Sequence, residues 1–207
     1  MILRRLFSLW YDSLMKPLET DYLRNRRAAL ISKIKGKVLE VGVGTGINFA
    51  HYQDSVEVIG IEPSPWMIRQ AIQRKSTCYP NQNIRLYAYG CGDESLNQLF
   101  YENSFDVVIC TLVLCTIPDP ASAIQDFKRW LKPGGQLIVL EHIRSHHPFI
   151  AKIQDFCRPL WATIADGCQL NRATDKLLVE SGLRPLQQEW FKAYLPFYEA
   201  IYTKPAI

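Results

Sequence analysis

Short apolar segments with strand character alternate with helical segments along most of this 207-residue chain. Such alternation predicts a parallel sheet whose right-handed crossover helices cover both of its faces. Helical patterns separate most of the strand-like segments, which span residues 37–43, 56–62, 83–89, 105–114 and 136–142. The segment at 105–114, FDVVICTLVL, is apolar throughout, as expected of a strand buried on both faces. We therefore predict a doubly wound α/β domain.

Two further strand-like segments, 183–191 and 197–203, follow one another without a helix between them. Strands joined by a short connection pair in antiparallel fashion. The prediction is thus a mostly parallel, seven-stranded sheet with a C-terminal antiparallel hairpin. Helices are predicted at 63–75, 119–131, 147–164 and 173–182. The sequence LKPGG at 131–135 indicates a turn that ends the second of these helices.

The first 35 residues have a helical pattern and a basic charge. An apolar stripe over residues 3–31 comprises Leu3, Leu6, Phe7, Trp10, Leu14 and Leu18, at spacings of three and four. Pro17 is expected to divide this stretch into two helices. We predict that residues 1–35 form a helical lid on a domain spanning residues 36–207. A helix on a membrane surface and a dimer contact are the alternatives.

Charge and cysteine usage limit the classes of partner and compartment. The formal net charge of +4 is too small to indicate a nucleic-acid-binding protein. Residues 1–35 hold eight Lys and Arg against three Asp and Glu, a net of +5 that favours an acidic surface such as a membrane. The six cysteines show no CxxC pair and no zinc-finger spacing, so we predict reduced thiols, no metal site and a cytoplasmic protein. Peripheral membrane contact through the basic N-terminal helix is the alternative.

Membrane insertion and secretion are not predicted either. No apolar run approaches the eighteen residues that indicate a transmembrane helix. Asp12 interrupts the first apolar stretch, so the beginning of the sequence does not match a signal peptide.

The segment VLEVGVGTG at 38–46 joins the first strand to the stretch that follows. Gly42 permits a tight turn, and Gly44 and Gly46 lack the Cβ atoms that would hold a ligand away from the backbone. Exposed N–H groups in such a loop suit a carboxylate or a phosphate. A dinucleotide fingerprint would need Gly or Ala at position 47, where this chain has Ile47. A nicotinamide dehydrogenase is therefore a disfavoured alternative.

Two acidic residues accompany these glycines. Glu40 lies two residues before Gly42, and Glu62 ends the second strand, where a carboxylate can accept hydrogen bonds from both ribose hydroxyls. This constellation resembles motif I and the second-strand acid of the class I S-adenosylmethionine methyltransferases. The resemblance implies S-adenosyl-L-methionine as cofactor, S-adenosyl-L-homocysteine as product, and methyl transfer as the activity.

The resemblance extends over about half of the chain. The sequence GDESL at 92–96 is similar to the family segment that holds the adenine, which implies that Asp93 and Glu94 bind its amino group. Residues 103–142 resemble the fourth- and fifth-strand region of the ubiquinone- and menaquinone-type methyltransferases. TLVLCTIPDP at 111–120 and DGCQLNRAT at 166–174 resemble the methyltransferase-like group that includes thiol S-methyltransferases. These matches imply a small or lipid-like acceptor, with a thiol among the candidates.

Further site residues are predicted from their places in this fold. The cofactor pocket is expected to include Tyr11, Pro63, Met67, Thr111 and Leu112. His142 ends the fifth strand, at the edge of the sheet where α/β active sites gather. We consider it a candidate catalytic base or acceptor-binding group, with a structural histidine as the alternative. Cys115 is interpreted as a buried structural thiol.

Three other functions stay open at this point. A phospholipid N-methyltransferase and a quinone-precursor C-methyltransferase share the same fold and suit the basic, aromatic-rich sequence. A module that binds S-adenosylmethionine without transferring its methyl group would carry the same glycines and acids. Turnover on a panel of acceptors distinguishes an enzyme from such a module.

Overall fold

The computed structural model describes residues 2–206 and the side chains of residues 5–206, so Leu3 of the predicted stripe lies outside the described side chains. Seven strands form one sheet: β1 (Lys37–Val41), β2 (Glu57–Ile61), β3 (Ile84–Tyr87), β4 (Phe105–Thr111), β5 (Leu131–His142), β6 (Arg184–Lys192) and β7 (Pro196–Thr203). Their order is β3-β2-β1-β4-β5-β7-β6. The first five strands pair in parallel, and β7 pairs antiparallel to both β5 and β6. The predicted seven-stranded α/β fold with its C-terminal hairpin is confirmed.

The helices are α1 (Ile2–Leu18), α2 (Arg24–Ile31), α3 (Pro65–Cys78), α4 (Ser95–Leu99), α5 (Pro120–Trp130), α6 (Pro148–Ile164) and α7 (Thr174–Glu180). Side-chain caps fix where two of them begin. Ser64 accepts a hydrogen bond from the N–H of Met67 at the start of α3, and Asp119 accepts one from the N–H of Ser122 at the start of α5. No helix in the described part of the chain is long and apolar enough to cross a membrane.

Alternate residues of β4 enter two different hydrophobic cores. Val108 and Cys110 belong to one apolar cluster, whereas Val107 and Ile109 belong to the other. Because successive side chains of a strand point to opposite faces, the two clusters lie on opposite sides of the sheet. This explains why β4 is apolar along its whole length.

Three local features differ from the sequence-based expectations. The N-terminal stretch does break, but helix α1 continues through Pro17 and a π-helical turn follows at Glu19–Leu23. Strand β5 begins at Leu131 rather than 136, because Leu131 pairs with Phe105 and a register shift accommodates the Pro-Gly-Gly turn sequence within the strand. Helix α4 was not expected, since five residues are too few to show a helical period.

The strand order places the site. Moving outward from the middle of the sheet, the chain runs from β1 through β2 to β3 on one side, and from β4 to β5 on the other. The loops that leave β1 and β4 therefore diverge and open a crevice at the carboxyl ends of these strands.

Candidate active site

A cavity of about 1110 Å³ occupies this crevice. Its walls come from the loops after β1 and β4, the ends of β2 and β5, and helices α1 and α6. Most of the lining side chains are apolar. Ligand pockets for drug-sized molecules measure about 300–1,000 Å³, so this cavity has room for a cofactor and a small second molecule.

The glycine loop after β1 forms one wall of the cavity. Gly42 and Gly44 have φ angles of +67° and +56°, a left-handed conformation that favours glycine. A Cβ atom at Gly42 would collide with the side chain of Val113, whereas one at Gly44 would meet nothing within 4 Å. The backbone of Gly44 is therefore accessible to a ligand in the cavity, which Gly44 lines.

Glu62, at the end of β2, is buried beside this loop. One of its carboxylate oxygens accepts a hydrogen bond from the N–H of Gly44 at 3.0 Å, and the other accepts one from the N–H of Ser64 at 2.9 Å. Burial raises the pKa of Glu62, and the two backbone hydrogen bonds oppose that rise. Each oxygen keeps a lone pair for a hydroxyl group, because a carboxylate oxygen accepts two hydrogen bonds.

Glu40 lies outside the cavity lining and supports the loop from behind. Its carboxylate accepts hydrogen bonds from the Asn48 amide and the Tyr52 hydroxyl, both at 2.9 Å. Burial raises the pKa of Glu40 to about 7, and the bonds from Asn48 and Tyr52 oppose this. Asn48 itself lines the cavity, so Glu40 reaches the site through its neighbour.

Arg27 of α2 lies at the centre of a buried polar network, and no sequence pattern indicated this role. Its guanidinium donates to the Glu19 carboxylate at 2.8–3.2 Å, to Asn48 at 2.9 Å and to the Thr111 hydroxyl at 2.8 Å. Arg27 is only 2% exposed. The network joins the N-terminal segment to the end of β4 and to the cavity wall.

Helix α1 closes one side of the cavity. Tyr11 lines the cavity, and burial raises its pKa well above the usual value for tyrosine. Asp12 accepts a hydrogen bond from Thr45 of the glycine loop at 2.6 Å and forms an ion pair with Arg74 of α3. The carbonyl of Ser8 accepts a hydrogen bond from Gln70 of α3 at 2.8 Å. These contacts fix α1 against the loop and α3.

The structure brings most of the sequence-predicted residues to one cavity. The predicted residues that line it are Tyr11, Gly42, Gly44, Glu62, Pro63, Met67, Thr111, Leu112 and His142. Those outside the lining are Glu40, Gly46, Asp93 and Glu94. The Asp93 carboxylate accepts a hydrogen bond from the N–H of Ser95 at the start of α4, and residues 89–91 line the cavity instead.

Leu112 has a φ angle of +57°, which is uncommon for a leucine. Its N–H donates to the carbonyl of Leu140 at 2.9 Å, and its side chain borders the cavity. Glu141, in the neighbouring strand, accepts hydrogen bonds from the N–H groups of Val113 and Leu114 at 2.7 and 2.9 Å. The carboxylate of Glu141 thus holds the sharp turn after β4 in place.

Three polar side chains converge at another part of the cavity wall. The Nε2 atom of His142 lies 3.1 Å from the Sγ atom of Cys168, which lies 3.6 Å from the Sγ atom of Cys115. All three residues are buried, and all three line the cavity. Its contacts with Cys115 and His142 lower the pKa of Cys168. Burial alone would lower the pKa of His142, but its contact with Cys168 raises it.

This cluster is the part of the site that the sequence indicated least. Cys115 was interpreted as a structural thiol, and Cys168 was not singled out. The three positions lie 27 and 26 residues apart, so no short motif contains two of them. Only the sequence DGCQLNRAT, already noted for its resemblance to the thiol enzymes, offered a signal for Cys168.

Comparisons with known proteins agree with this geometry. A family model described as a methyltransferase domain matches residues 16–188. The thiol S-methyltransferase TMT1B of Rattus norvegicus is 33% identical over 181 residues, which cover 81% of this chain and 71% of that protein.

This chain belongs to the S-adenosylmethionine-dependent methyltransferase family.

Two further similarities are more distant. The phosphatidylethanolamine N-methyltransferase of Cereibacter sphaeroides is 28% identical and covers 62% of each chain. The structure of a SAM-dependent methyltransferase from Methanosarcina mazei has a TM-score of 0.65 at 19% identity, covering 83% of this chain and 93% of the other. The second likeness bears on the fold alone. The predicted enzyme class and cofactor are confirmed.

The residues of this methyltransferase fit its cofactor. The open backbone at Gly44 admits a ligand at close range. Beside it, the buried carboxylate of Glu62 suits the two hydroxyls of a ribose. Met67 and Tyr89, which also line the cavity, offer apolar surface for a flat ring.

Proposed function

We propose that this methyltransferase transfers the methyl group to the sulfur atom of a small, apolar thiol. The observation that carries this proposal is the cavity beyond the glycine loop, whose apolar walls end at Cys115, His142 and Cys168. An uncharged acceptor suits such walls better than a charged headgroup does, because an unpaired charge is costly to bury. The similarity to a thiol S-methyltransferase points the same way.

The cofactor and the acceptor are assigned to different parts of the cavity. We assign Glu62 to the ribose, the loop at Gly42 and Gly44 to the polar amino-acid end, and Met67 to the adenine. Residues 89–91 face the cavity where Asp93 and Glu94 were expected to act. The other predicted lining residues, Tyr11, Pro63, Thr111 and Leu112, complete the cofactor wall.

Bound S-adenosylmethionine supplies a methyl group attached to a positively charged sulfur. The acceptor sulfur forms a bond to the methyl carbon as the bond from that carbon to the sulfonium breaks, and the thiol proton is released. A thiol ionises near pKa 8.5, so it needs less help from a base than an alkylamine or a phenol. We assign His142 to contact with the acceptor sulfur, and the protein contributes mainly alignment, worth about 7–11 kcal/mol at best.

A panel of acceptors tests the proposal. The purified chain is incubated with S-adenosylmethionine and with an alkyl thiol, an aryl thiol, an amine, a phenol or phosphatidylethanolamine, and the products are identified by mass spectrometry. We expect thioethers from the apolar thiols and no methylated amine. Methylation of phosphatidylethanolamine but of no thiol would overturn the proposal in favour of a lipid N-methyltransferase. Cofactor binding without any product would identify a binding module.

We also propose that residues 1–35 act as a lid over the cofactor. The support is the position of α1, whose residues Phe7, Tyr11 and Leu14 border the cavity. The contacts of Asp12 with Thr45 and Arg74 hold that helix against the glycine loop.

A peripheral membrane contact is the second part of this proposal. Helix α6 presents a largely apolar exposed surface made of Phe149, Ile150, Ile153, Phe156, Leu160, Trp161 and Ile164. Helix α1 packs beside it and exposes Leu6, Leu9, Trp10 and Leu14. Trp161 and Leu14 also line the cavity, so this surface borders its mouth. A lipid surface suits it, because the N-terminal segment carries a net charge of +5.

Exchanging Phe156 and Leu160 for serine is expected to weaken binding to vesicles that contain anionic lipid by at least about tenfold, since each apolar side chain contributes roughly 1.5–3 kcal/mol when buried. Phe156 is 86% exposed, so the change should leave the fold intact. Co-sedimentation measures the binding. The control is Val179→Ser, at an exposed apolar position of α7. Dimerisation of the native chain that the double variant abolishes, without vesicle binding, would identify this surface as a contact between copies instead.

A further inference from the structure

We infer that Cys115, His142 and Cys168 form a binding site for one thiophilic metal ion, Zn²⁺ in the first instance, with one coordination position open to the cavity. The three residues come from the loop after β4, the end of β5 and the loop after α6. Their ligand atoms all lie within 4.8 Å of one another. Zinc prefers thiolate and imidazole ligands such as these. Mg²⁺ and similar ions prefer oxygen ligands and would bind here poorly.

Two of the three separations between the ligand atoms are close to those of a tetrahedral zinc site, and the third is at most 4.8 Å. Zinc binds thiolate sulfur at about 2.3 Å and imidazole nitrogen at about 2.0–2.1 Å, so at the tetrahedral angle two sulfurs lie about 3.8 Å apart, and sulfur and nitrogen about 3.6 Å apart. The two Sγ atoms here are separated by 3.6 Å, and Nε2 of His142 lies 3.1 Å from Sγ of Cys168. Shifts of about half an ångström or less would reconcile these two separations with a bound ion.

Hydrogen bonds to backbone carbonyls hold the two cysteine loops together. The N–H of Gln169 donates to the carbonyl of Cys115 at 2.9 Å, and Arg172 donates to the carbonyls of Leu114 and Ile117. The ligand from β5 is fixed by the sheet itself, since His142 pairs with Phe197 of β7. Ligands anchored in this way lose little freedom when an ion binds, which favours affinity.

The protein supplies three ligands, and the fourth position faces the cavity. This is the arrangement of zinc sites that act on a substrate, whereas purely structural zinc sites use four protein ligands. Two thiolates balance the charge of Zn²⁺, so the filled site adds no net charge to an apolar cavity. If the proposed function holds, the open position takes the acceptor thiolate, and the thiol proton passes to solvent as the sulfur binds.

Metal binding is measured directly on the full chain, purified with its thiols reduced and its metals removed. Zn²⁺ is titrated in competition with a coloured chelator, and Co²⁺ serves as a spectroscopic probe. We expect one ion per chain and an intense thiolate-to-cobalt absorption band. Cys115→Ser, Cys168→Ser and His142→Ala should each weaken zinc binding by about 100-fold or more. Cys157→Ser is the matched control, because Cys157 lines the same cavity outside the cluster, and it should bind zinc as the native chain does.

A second measurement avoids the risk that a variant fails to fold. The native chain is alkylated with and without Zn²⁺, and the modified cysteines are mapped by mass spectrometry. Zinc should protect Cys115 and Cys168 but not Cys157. Absence of stoichiometric binding, or binding that survives in a folded Cys115→Ser/Cys168→Ser variant, would overturn the inference.

The metal site and the proposed function can be rejected independently of each other. An apolar thiol added to the Co²⁺-loaded chain should change the cobalt spectrum if its sulfur takes the open position. Zinc binding with no methylated thiol would leave the site standing and reject the thiol acceptor. Thiol methylation by a chain that binds no zinc would support the thiol acceptor and reject the metal site.

Discussion

Replacing Arg27 with methionine is expected to lower the free energy of unfolding by about 3–5 kcal/mol, the cost of breaking a buried ion pair from one side. The variant would leave the Glu19 carboxylate, which is only 7% exposed, without its counter-ion. It would also remove the donor that binds Asn48 and Thr111. Urea denaturation followed by circular dichroism measures the change.

An ion pair at the surface provides the control for this experiment. Arg85 pairs with Glu57, and both side chains are partly or largely exposed. Arg85→Met should therefore cost only about 0–1 kcal/mol. A double Arg27→Met/Glu19→Met variant should recover much of the lost stability, because apolar replacement of both partners removes the stranded charge. Equal losses at Arg85 and Arg27 would contradict this account of the network.

Gly44→Leu is expected to weaken S-adenosylmethionine binding by about ten- to 100-fold, the equivalent of the roughly 1–3 kcal/mol that overpacking costs. In the structure, a side chain at Gly44 would have open space around it, and Gly44 lines the cavity that we assign to the cofactor. The added side chain should therefore reduce the affinity for the cofactor rather than disturb the packing of the protein. Isothermal titration calorimetry with S-adenosylmethionine and S-adenosylhomocysteine measures it.

Gly92→Leu is the matched variant for this prediction. Gly92 also has a positive φ angle and open space around it, but it lies outside the cavity lining. Both variants should lose about 1–2 kcal/mol of stability from a left-handed leucine, and only Gly44→Leu should lose cofactor affinity. Normal affinity in Gly44→Leu would place the cofactor elsewhere. As a further check, Glu62→Gln should also weaken binding, because the amide replaces an acceptor beside the ribose with a donor.

Local sequence patterns were enough to predict the fold and many of the residues that line the cavity. Strand segments alternating with helices specify a parallel sheet, and the apolar run of β4 specifies burial on both faces. The glycines at 42 and 44 mark the loop after β1, because both adopt the positive φ angles that favour glycine, and Glu62 marks the end of β2.

Tertiary structure alone decided what surrounds that loop. Arg27, Asn48 and Thr111 meet through hydrogen bonds between residues as many as 84 positions apart. Glu40 lies two residues before Gly42 in the sequence, yet the fold turns its carboxylate toward Asn48 and Tyr52 rather than the cavity. Cys115, His142 and Cys168 converge only because β4, β5 and the loop after α6 end at one edge of the sheet. Convergence of this kind depends on the path of the whole chain, and no local pattern records it.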